Sequence, residues 1–206
     1  MRKELKRKKR IKLRNKKLIK RYPWLRPCDW FGNPLKKLNY TFTWLDDIER
    51  GWVKAFGMMM VKEIDVILRK AHYERDYRIA QIKEKWGRLT WYDNGAPHEI
   101  YDELHRAIDK YSYLSENICA ICGKPDVYMT FSGWDFPLCE SCWDKHISDA
   151  RPYEEVISDK DTGRMADSYT IRRFSKDGNK DTVYNISETA EKIRRRYEKR
   201  RRKKCT

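Results

Sequence analysis

Two Cys-x-x-Cys pairs constrain this 206-residue chain more than any other feature. Cys119 and Cys122 form the first pair, and Cys139 and Cys142 form the second after 16 intervening residues. Each pair brings two sulfur atoms to one side of a tight turn, and two pairs complete the tetrahedral thiolate shell that zinc prefers. Gly123 follows the first pair, where such a turn needs a positive φ. The spacing therefore predicts a structural Zn²⁺ on the four cysteines, with two disulfides or four buried thiols as alternatives.

The stretch around these pairs predicts a treble-clef zinc finger over residues 119–149. Residues 127–131 (VYMTF) and the segment around Gly133 and Trp134 favour a short hairpin between the pairs. The second pair opens a predicted helix that continues to His146. A knuckle, a hairpin and then ligands on a helix are the order of elements in a treble clef.

The charge of the chain is unevenly distributed. Residues 1–21 hold 13 Lys or Arg and one Glu, and residues 192–206 hold ten Lys or Arg and one Glu. The rest of the chain has 24 basic and 29 acidic residues, so a body of net charge −5 lies between two basic arms, and the total is +16. No apolar run approaches the roughly 18 residues of a membrane helix, and the amino terminus lacks the apolar segment of a secretion signal. With metal-type cysteine spacing, these features predict a cytoplasmic protein.

The two arms are predicted to differ in structure. Residues 1–21 have scattered apolar side chains without a sustained helical stripe. Since like charges at this density repel, this arm alone is expected to be disordered or a fraying helix, and to become helical on a polyanion. Residues 187–206 predict a basic helix that Ser187 caps, with a narrow apolar edge that includes Ala190 and Ile193.

Residues 22–118 predict an α+β core. The segment that opens it, YPWLRPCDWFGNPL, is expected to be irregular and pinned by its aromatic rings. The alternation of residues 40–44 (YTFTW) predicts a strand. Asp46 is the expected N-cap of the next helix, with Glu49 completing a capping box, and an apolar stripe at spacings of three and four runs over residues 48–71.

The remaining elements complete an α+β fold with a small antiparallel sheet, two or three helices and the embedded finger, flanked by the arms. Residues 77–93 predict a hairpin with its turn at 85–87, and Pro97 opens a helix. Residues 150–186 predict a loop (150–167) and a hairpin that turns at Asp177-Gly178. The buried face of the helix after Pro97 is expected to comprise Ile100, Leu104, Ala107, Ile108 and Tyr111.

The finger lacks the chemistry of other fingers with similar spacing. Its second pair, followed by a helix, resembles the zinc-containing HNH endonucleases, whose water-activating histidine lies inside the finger. No histidine lies between Cys119 and Cys142. The spacing is also close to that of GATA-like DNA-binding fingers, but residues 119–146 carry a net charge of −2, which disfavours phosphate binding. Since no phosphate loop, nucleophile elbow or paired catalytic carboxylates stand out, we expect a structural finger, no catalytic residues and no enzymatic activity.

A few other residues have ligand chemistry but a simpler interpretation. His98, Asp102 and His105 fall on one face of a predicted helix at a spacing able to hold a second metal, although two histidines and a carboxylate on one helix are more often its solvated face. His146 is either a substitute zinc ligand or a helix-surface histidine. Two further cysteines have no assigned role: Cys28 and Cys205.

The basic arms favour binding to nucleic acid. Lys and Arg at this density neutralise phosphates and release counterions with little sequence choice. A membrane surface is disfavoured because neither arm has a broad apolar face with Trp or Phe. Arg-rich helices can fold on RNA, and Tyr197 could stack on a base, so the sequence leaves RNA and DNA open. The predicted contact residues are Lys6, Arg7, Lys8, Lys9, Arg10, Lys12, Arg14, Lys16, Lys17, Arg194, Arg195, Arg196, Lys199, Arg200, Arg201, Arg202, Lys203 and Lys204.

Four stretches of the chain resemble one family. They are RYPWLRP, LDDIERGWVKAFG, IKEKWGRLTWYDNGAP and the finger CAICGKP…GW…LCESC. They are similar to segments of small uncharacterised proteins of bacteriophages and prophage-bearing gut bacteria, in which an IKEK-x-G-x-L-x-Y-D-N-G core precedes a Cys-x-x-Cys-Gly-Lys-Pro finger. The resemblance covers residues 21–145. It implies zinc on the four cysteines and implies no activity.

The resemblance to phage proteins also implies a second class of function. Small phage proteins often disable host machinery by binding to it. The alternative is therefore an inhibitor or accessory factor on a host nucleoprotein complex, such as a CRISPR effector (anti-CRISPR-like) or RNA polymerase. For either function the expected location is the host bacterial cytoplasm or nucleoid, with no membrane partner.

Overall fold

Helices and paired strands alternate along the chain, so the fold is α+β, as the sequence predicts. Instead of one small sheet, the described strands form three separate two-stranded hairpins. The computed structural model describes residues 2–29, 31–38, 40–125, 127–131, 135–147, 151–158, 170–174, 181–185 and 187–203.

The elements follow one another in this order. The helices are α1 (Arg2–Arg21), α2 (Arg50–Trp52), α3 (Met58–Lys70), α4 (His98–Ser115), α5 (Glu140–His146), α6 (Tyr153–Ser158) and α7 (Ser187–Arg202), with a π-helical turn (Val53–Gly57) between α2 and α3. The strands are β1 (Ile79–Lys85), β2 (Arg88–Asp93), β3 (Tyr128–Phe131), β4 (Asp135–Leu138), β5 (Thr170–Phe174) and β6 (Asp181–Asn185).

The chain divides into two compact units. Unit 1 comprises Met1–Ile48, Gly57–Lys83 and Thr90–Ile108, and therefore contains α1 and most of the predicted core. Unit 2 comprises Glu49–Phe56, Glu84–Leu89 and Asp109–Thr206, and contains the four cysteines and α7.

The aromatic segment after α1 is held by hydrogen-bonded rings in unit 1. Trp24 is buried, its Nε1 donates to Asp65 Oδ1 at 3.2 Å, and its ring centroid lies 6.2 Å from those of Tyr77 and Trp91. The Tyr77 hydroxyl donates to Asp93 at 2.6 Å and accepts from Trp91 Nε1 at 2.9 Å. Burial, followed by the charge of Asp93, raises the pKa of Tyr77 well above its usual value, so the hydroxyl keeps its proton. These contacts confirm that rings pin the segment.

α1 is a continuous helix of 20 residues, so the disordered alternative predicted for this arm is wrong. Asn15 is fully buried, and Ile11, Leu18 and Ile19 are half-buried. These positions, followed by the buried Tyr22, fall at spacings of three and four and form one face of the helix. A polar residue occupies the centre of this face, which is why the sequence shows no clear apolar stripe.

Residues 40–44 do not form the predicted strand. Tyr40 has a φ of 62°, which is left-handed and incompatible with a continuous strand. Thr43 instead caps a 3₁₀ helix, Trp44–Asp46, in a capping box. Asp46 Oδ2 accepts hydrogen bonds from the Thr43 backbone N–H at 2.8 Å and from Thr43 Oγ1 at 3.0 Å. The alternating threonines therefore form hydrogen bonds in a turn and in a helix cap, and they do not lie on the face of a sheet.

The helix predicted to have Asp46 as its N-cap begins three residues later. α2 starts at Arg50 with Glu49 as its N-cap, because Asp46 is already used in the preceding capping box. The apolar stripe predicted for residues 48–71 is otherwise confirmed, with Met59 and Ala71 only half-buried. Its buried members are Ile48, Trp52, Ala55, Phe56, Met60, Ile64, Ile67 and Leu68.

The hairpin at residues 77–93 and the helix after it are confirmed. β1 and β2 are joined by Trp86 and Gly87, whose φ angles of 55° and 76° are both positive, as in a type I′ turn. α4 begins at His98, directly after Pro97. Its predicted inner face is buried throughout, with exposed fractions between 0% and 7%.

The segment after the finger is more structured than expected. The loop predicted for residues 150–167 contains α6, whose Tyr153 is buried. Residues 159–169 lie outside the described part of the chain. β5 and β6 pair antiparallel, which confirms the predicted hairpin, while its turn at residues 177–178 lies outside the described residues.

Candidate metal centre and basic helices

The first cysteine pair lies on a tight turn closed by backbone hydrogen bonds. The Cys119 N–H donates to the Lys124 carbonyl at 2.8 Å, and the Gly123 N–H donates back to the Cys119 carbonyl at 2.8 Å. Gly123 has a φ of 76°, as the spacing predicts. A β-bridge between Ile118 and Pro125 completes the turn. This geometry directs both side chains of the pair to one side.

The second pair lies where a strand passes into a helix. β3 pairs with β4, with Tyr128 opposite Leu138, and Cys139 follows as the N-cap of α5. The Cys142 N–H donates to the Cys139 carbonyl at 2.9 Å, in the first turn of the helix. The Ala120 N–H donates to the Pro137 carbonyl at 2.9 Å, so the first turn and the hairpin are joined directly.

The four sulfur atoms converge. The Sγ atoms of Cys119, Cys122, Cys139 and Cys142 all lie within 4.8 Å of one another, and those of Cys122 and Cys139 are 3.6 Å apart. Four thiolates around an ion at the usual Zn–S distance of about 2.3 Å would lie about 3.8 Å apart. A disulfide would need about 2.05 Å, and all four cysteines are free thiols. The cluster can therefore hold a metal ion, and the two-disulfide alternative is excluded.

The protonation of the cluster also favours a cation. Burial raises the pKa of Cys142 to about 12. Hydrogen bonding to Cys119 and Cys139 raises the pKa of Cys122, whereas hydrogen bonds from Cys119 and Cys122 lower the pKa of Cys139. Several buried thiolates without a counter-ion would repel one another. A divalent cation offsets this repulsion and allows all four to act as ligands.

An apolar layer surrounds the cluster. Val127, Leu138, Trp143 and Tyr153 are buried together with the cysteines in one core cluster. The Tyr153 hydroxyl donates to the Leu138 carbonyl at 3.0 Å, and burial raises the pKa of Tyr153 to about 12. The sequence analysis missed Tyr153 because its helix has only six residues and no long apolar pattern. This layer keeps water away from the sulfur atoms and gives the small finger a core.

The start of α2 is fitted tightly onto the first cysteine turn. The Gly51 N–H donates to the Ala120 carbonyl at 2.6 Å, and Trp52 Nε1 donates to the Ile118 carbonyl at 2.8 Å. A Cβ atom at Gly51 would overlap the backbone carbonyls of Cys119 and Ala120. Sequence reasoning missed Gly51, whose only signal was a glycine near the start of a predicted apolar helix.

α7 also packs in the unit that holds the cysteines. Ala190 and Ile193 are buried, as the narrow apolar edge predicts. Arg200 Nη1 donates to the Lys54 carbonyl at 2.6 Å, and Lys54 Nζ donates to the Cys122 carbonyl at 2.5 Å. Burial, followed by the charge of Cys122, raises the pKa of Tyr197. A chain of contacts therefore links the basic helix to the first cysteine turn.

The predicted phosphate contacts in α7 divide into two groups. Arg194 and Arg195 pair with Glu191 at 3.0 and 2.9 Å, and Arg196 is half-buried, with a pKa lowered by burial. Arg194 and Arg195 are therefore engaged by an ion pair within the helix. The exposed group comprises Lys199, Arg200, Arg201, Arg202 and Lys203, while Lys204 lies outside the described residues.

The predicted contacts in α1 lie on its exposed surface. Arg14 pairs with Asp46 and donates from Nε to Asn15 Oδ1 at 2.8 Å, and Lys8 pairs with Glu4 at 3.2 Å. The exposed set comprises Lys6, Arg7, Lys8, Lys9, Arg10, Lys12, Arg14, Lys16 and Lys17.

The other candidate ligands are placed apart from any such cluster. Within the described part of the chain, the four cysteines are the one group of three or more His, Cys, Asp or Glu side chains close enough to share a metal ion. His98 and Asp102 are exposed, and the His105 ring lies 4.2 Å from that of Tyr101. His146 is exposed and Cys28 is half-buried, and neither belongs to the cysteine cluster; Cys205 lies outside the described residues.

No protein-family model, curated protein or solved structure matches the chain. None of the described helices is long and apolar enough to cross a lipid bilayer.

Proposed function

We propose that the chain is a non-enzymatic, zinc-stabilised nucleic-acid-binding protein of the phage type, acting in the bacterial cytoplasm or nucleoid. In this proposal the four cysteines bind Zn²⁺ in a treble-clef finger that has a structural role. The basic helices α1 and α7 contact the phosphate backbone.

The proposal of zinc rests on the donor set. Four converging cysteine sulfurs packed against apolar side chains suit a structural zinc site, whereas a catalytic site keeps an open position for water or substrate. The turn, hairpin and helix that carry the cysteines follow the order of a treble clef. Bound zinc would supply charge compensation and hold the two cysteine pairs together.

Metal analysis of the purified protein tests the zinc proposal. Wild-type protein is expected to contain about one zinc per chain, because four thiolates fill one tetrahedral shell. Cys139→Ser should lose most of this metal, since it removes a ligand. Cys28→Ser removes a half-buried thiol outside the cluster and should keep the metal content unchanged. Equal zinc in all three proteins, or none in the wild type, would contradict the proposal.

One observation carries the proposed binding to nucleic acid: α1 is an ordered helix whose cations face solvent. Residues 4–10 are exposed without interruption, and five of these seven are Lys or Arg. Ordered cations lose less conformational entropy on binding than a disordered tail, so they bind phosphates at a lower cost. The finger, with its net charge of −2, is left to a structural role.

Neutralising the outer face of α1 tests this function. The variant K6Q/K9Q/K12Q/K16Q removes four exposed positive charges without touching the buried face of the helix. The matched control K36Q/K37Q/K62Q/K85Q removes four exposed lysines elsewhere. At low salt, the α1 variant is expected to bind a fluorescent oligonucleotide about 100-fold more weakly than wild type. Equal losses in both variants would show that only net charge matters, and no loss in either would overturn the proposal.

A host nucleoprotein complex is the second candidate target, and one exposed side chain favours it. Phe31 is 90% exposed on a turn fixed by Asp29, whose Oδ1 accepts from the backbone N–H groups of Phe31 and Asn33 at 2.9 and 2.8 Å. A preorganised exposed aromatic side chain is typical of protein contact. If this candidate is correct, pull-down from bacterial lysate should retain a protein partner after nuclease treatment and lose it in Phe31→Ala. Loss of every partner after nuclease treatment would favour nucleic acid alone.

A further inference from the structure

The first part of α1 extends beyond the packed face of that helix. The buried side of α1 starts at Ile11 and continues through Asn15 to Tyr22. Residues 4–10, which we call the projecting segment, are exposed at every position, and Leu5 is 62% exposed. The projecting segment is therefore a helix with solvent on all its sides, and the packed part of α1 holds it in place.

Positive charge encircles this segment. Lys6, Arg7, Lys8, Lys9 and Arg10 are consecutive. Successive side chains of an α-helix point about 100° apart, so five of them go more than once round the axis. Glu4 is the one acidic residue in the segment and pairs with Lys8 at 3.2 Å. Cations on all sides of a rod suit a site with phosphates on more than one side.

The shape of double-stranded nucleic acid then separates the candidate ligands. The major groove of B-form DNA is about 12 Å wide and admits an α-helix between two phosphate backbones. The major groove of A-form RNA is deep and narrow and does not admit one. A single strand presents its phosphates along one line and would leave cations on the far side of the segment unused.

We propose that the projecting segment enters the major groove of double-stranded DNA, with its cations directed at both phosphate backbones. This inference rests on the proposed function and names its ligand. In this arrangement the exposed lysines that follow the projecting segment in α1 contact further phosphates of one DNA strand; they are Lys12, Lys16 and Lys17. The segment acts through its helical shape as well as its charge.

The experiment compares a helix-breaking change with a change of equal charge. Lys9→Pro removes one positive charge and interrupts the helix, whereas Lys9→Gln removes the same charge and keeps it. Full-length proteins are titrated into three labelled ligands: a 24-base-pair DNA duplex, an RNA duplex of the same sequence, and one strand of the DNA. Wild type should bind the DNA duplex about 10-fold more tightly than either other ligand, and Lys9→Pro should weaken DNA binding about 10-fold more than Lys9→Gln. On the RNA duplex the two variants should be equal.

A third variant changes affinity in the opposite direction. Glu4→Gln removes the carboxylate that pairs with Lys8 and should tighten binding to the DNA duplex by about 3-fold, because it frees a cation near the phosphates. Equal affinity of wild type for the DNA and RNA duplexes, or equal effects of Lys9→Pro and Lys9→Gln on DNA, would overturn the inference while leaving nucleic-acid binding intact. Absence of binding to all three ligands would overturn the proposed function as well.

Discussion

Gly51 shows how one residue can fix the position of the metal site. Its N–H donates to the Ala120 carbonyl at 2.6 Å, and a Cβ atom there would overlap the backbone carbonyls of Cys119 and Ala120. These carbonyls belong to the turn that carries the first cysteine pair, so they cannot move without shifting its sulfur atoms. Glycine at this position is a packing requirement, since its backbone is an ordinary helical one within α2.

Gly51→Ala is therefore expected to destabilise the protein by about 3 kcal/mol, at the upper end of overpacking costs. Thermal unfolding together with zinc content provides the measurement. Gly95 is a suitable control, because nothing lies within 4 Å of a Cβ there and its φ of 83° suits asparagine. Gly95→Asn should cost less than about 1 kcal/mol. A Gly51→Ala protein as stable as wild type would contradict the close fit.

Asp46 is the second residue whose role differs from expectation. Its carboxylate accepts from the Thr43 N–H and hydroxyl, and Asn15 Nδ2 lies 3.4 Å from its Oδ2. Arg14 also pairs with it. One carboxylate thus completes a capping box and also binds the buried side of α1.

Asp46→Ala should lower the free energy of unfolding by about 1–2 kcal/mol, the range of a lost cap. Urea unfolding followed by circular dichroism measures this change. Asp47, the adjacent residue, has a pKa raised by burial and by the charge of Asp46. Since its charged form is disfavoured in the fold, Asp47→Ala should change stability by less than about 0.5 kcal/mol. Similar losses in both variants would mean that the capping box does not matter.

At the scale of elements, hydrogen bonds connect α7 to the first cysteine turn, whereas α1 packs within unit 1. Arg200 donates to the Lys54 carbonyl and Lys54 donates to the Cys122 carbonyl, so we expect the folding of α7 to be coupled to the first cysteine turn. α1 packs within unit 1, which has its own core of Trp24 and Tyr77. The two basic helices should therefore respond differently to metal removal.

Chelation is expected to remove amide exchange protection from residues 190–198 and to leave residues 11–19 protected. The reason is that zinc binding supplies much of the folding free energy of a small thiolate site. Hydrogen exchange with mass spectrometry, with and without chelator, resolves the two segments. Protection that persists in α7 would show that its packing does not depend on the metal.

The elements also show which features can be predicted from sequence. The cysteine cluster, the hairpin of residues 77–93 and the face of α4 follow from local signals: cysteine spacing, a Trp-Gly turn and spacings of three and four. The predictions of a disordered arm at residues 1–21 and of a strand at residues 40–44 were wrong, because tertiary contacts determine the conformation of both segments. The face of α1 has Asn15 at its centre, and the alternating residues 40–44 are used by a capping box with Asp46.

Tertiary contacts also explain why only part of the candidate metal site could be predicted from the sequence. The four cysteines could be found by spacing alone, but Gly51, Lys54 and Tyr153 could not. These residues act through contacts that join segments far apart in sequence, such as the hydrogen bond from Lys54 to Cys122. No periodic pattern encodes such a contact.

At the scale of the whole molecule, the excess positive charge lies in the two terminal arms and not in the body between them. The body carries a net charge of −5, and the terminal arms bring the total to +16. An acidic body repels phosphates and should direct nucleic acid to the basic helices. In our proposal the cysteine cluster therefore has a structural role, and α1 binds nucleic acid with the support of the exposed cations of α7.

The salt dependence of wild-type binding tests this assignment most directly. The equilibrium constant for a 24-base-pair DNA duplex is measured by fluorescence anisotropy at several salt concentrations. If about six phosphates are neutralised by the basic helices, log K should fall with log[salt] with a slope of about −5. The variant K6Q/K9Q/K12Q/K16Q should reduce the slope to about −2, while K36Q/K37Q/K62Q/K85Q should leave it near −5. A wild-type slope near zero, or no binding at low salt, would contradict the account.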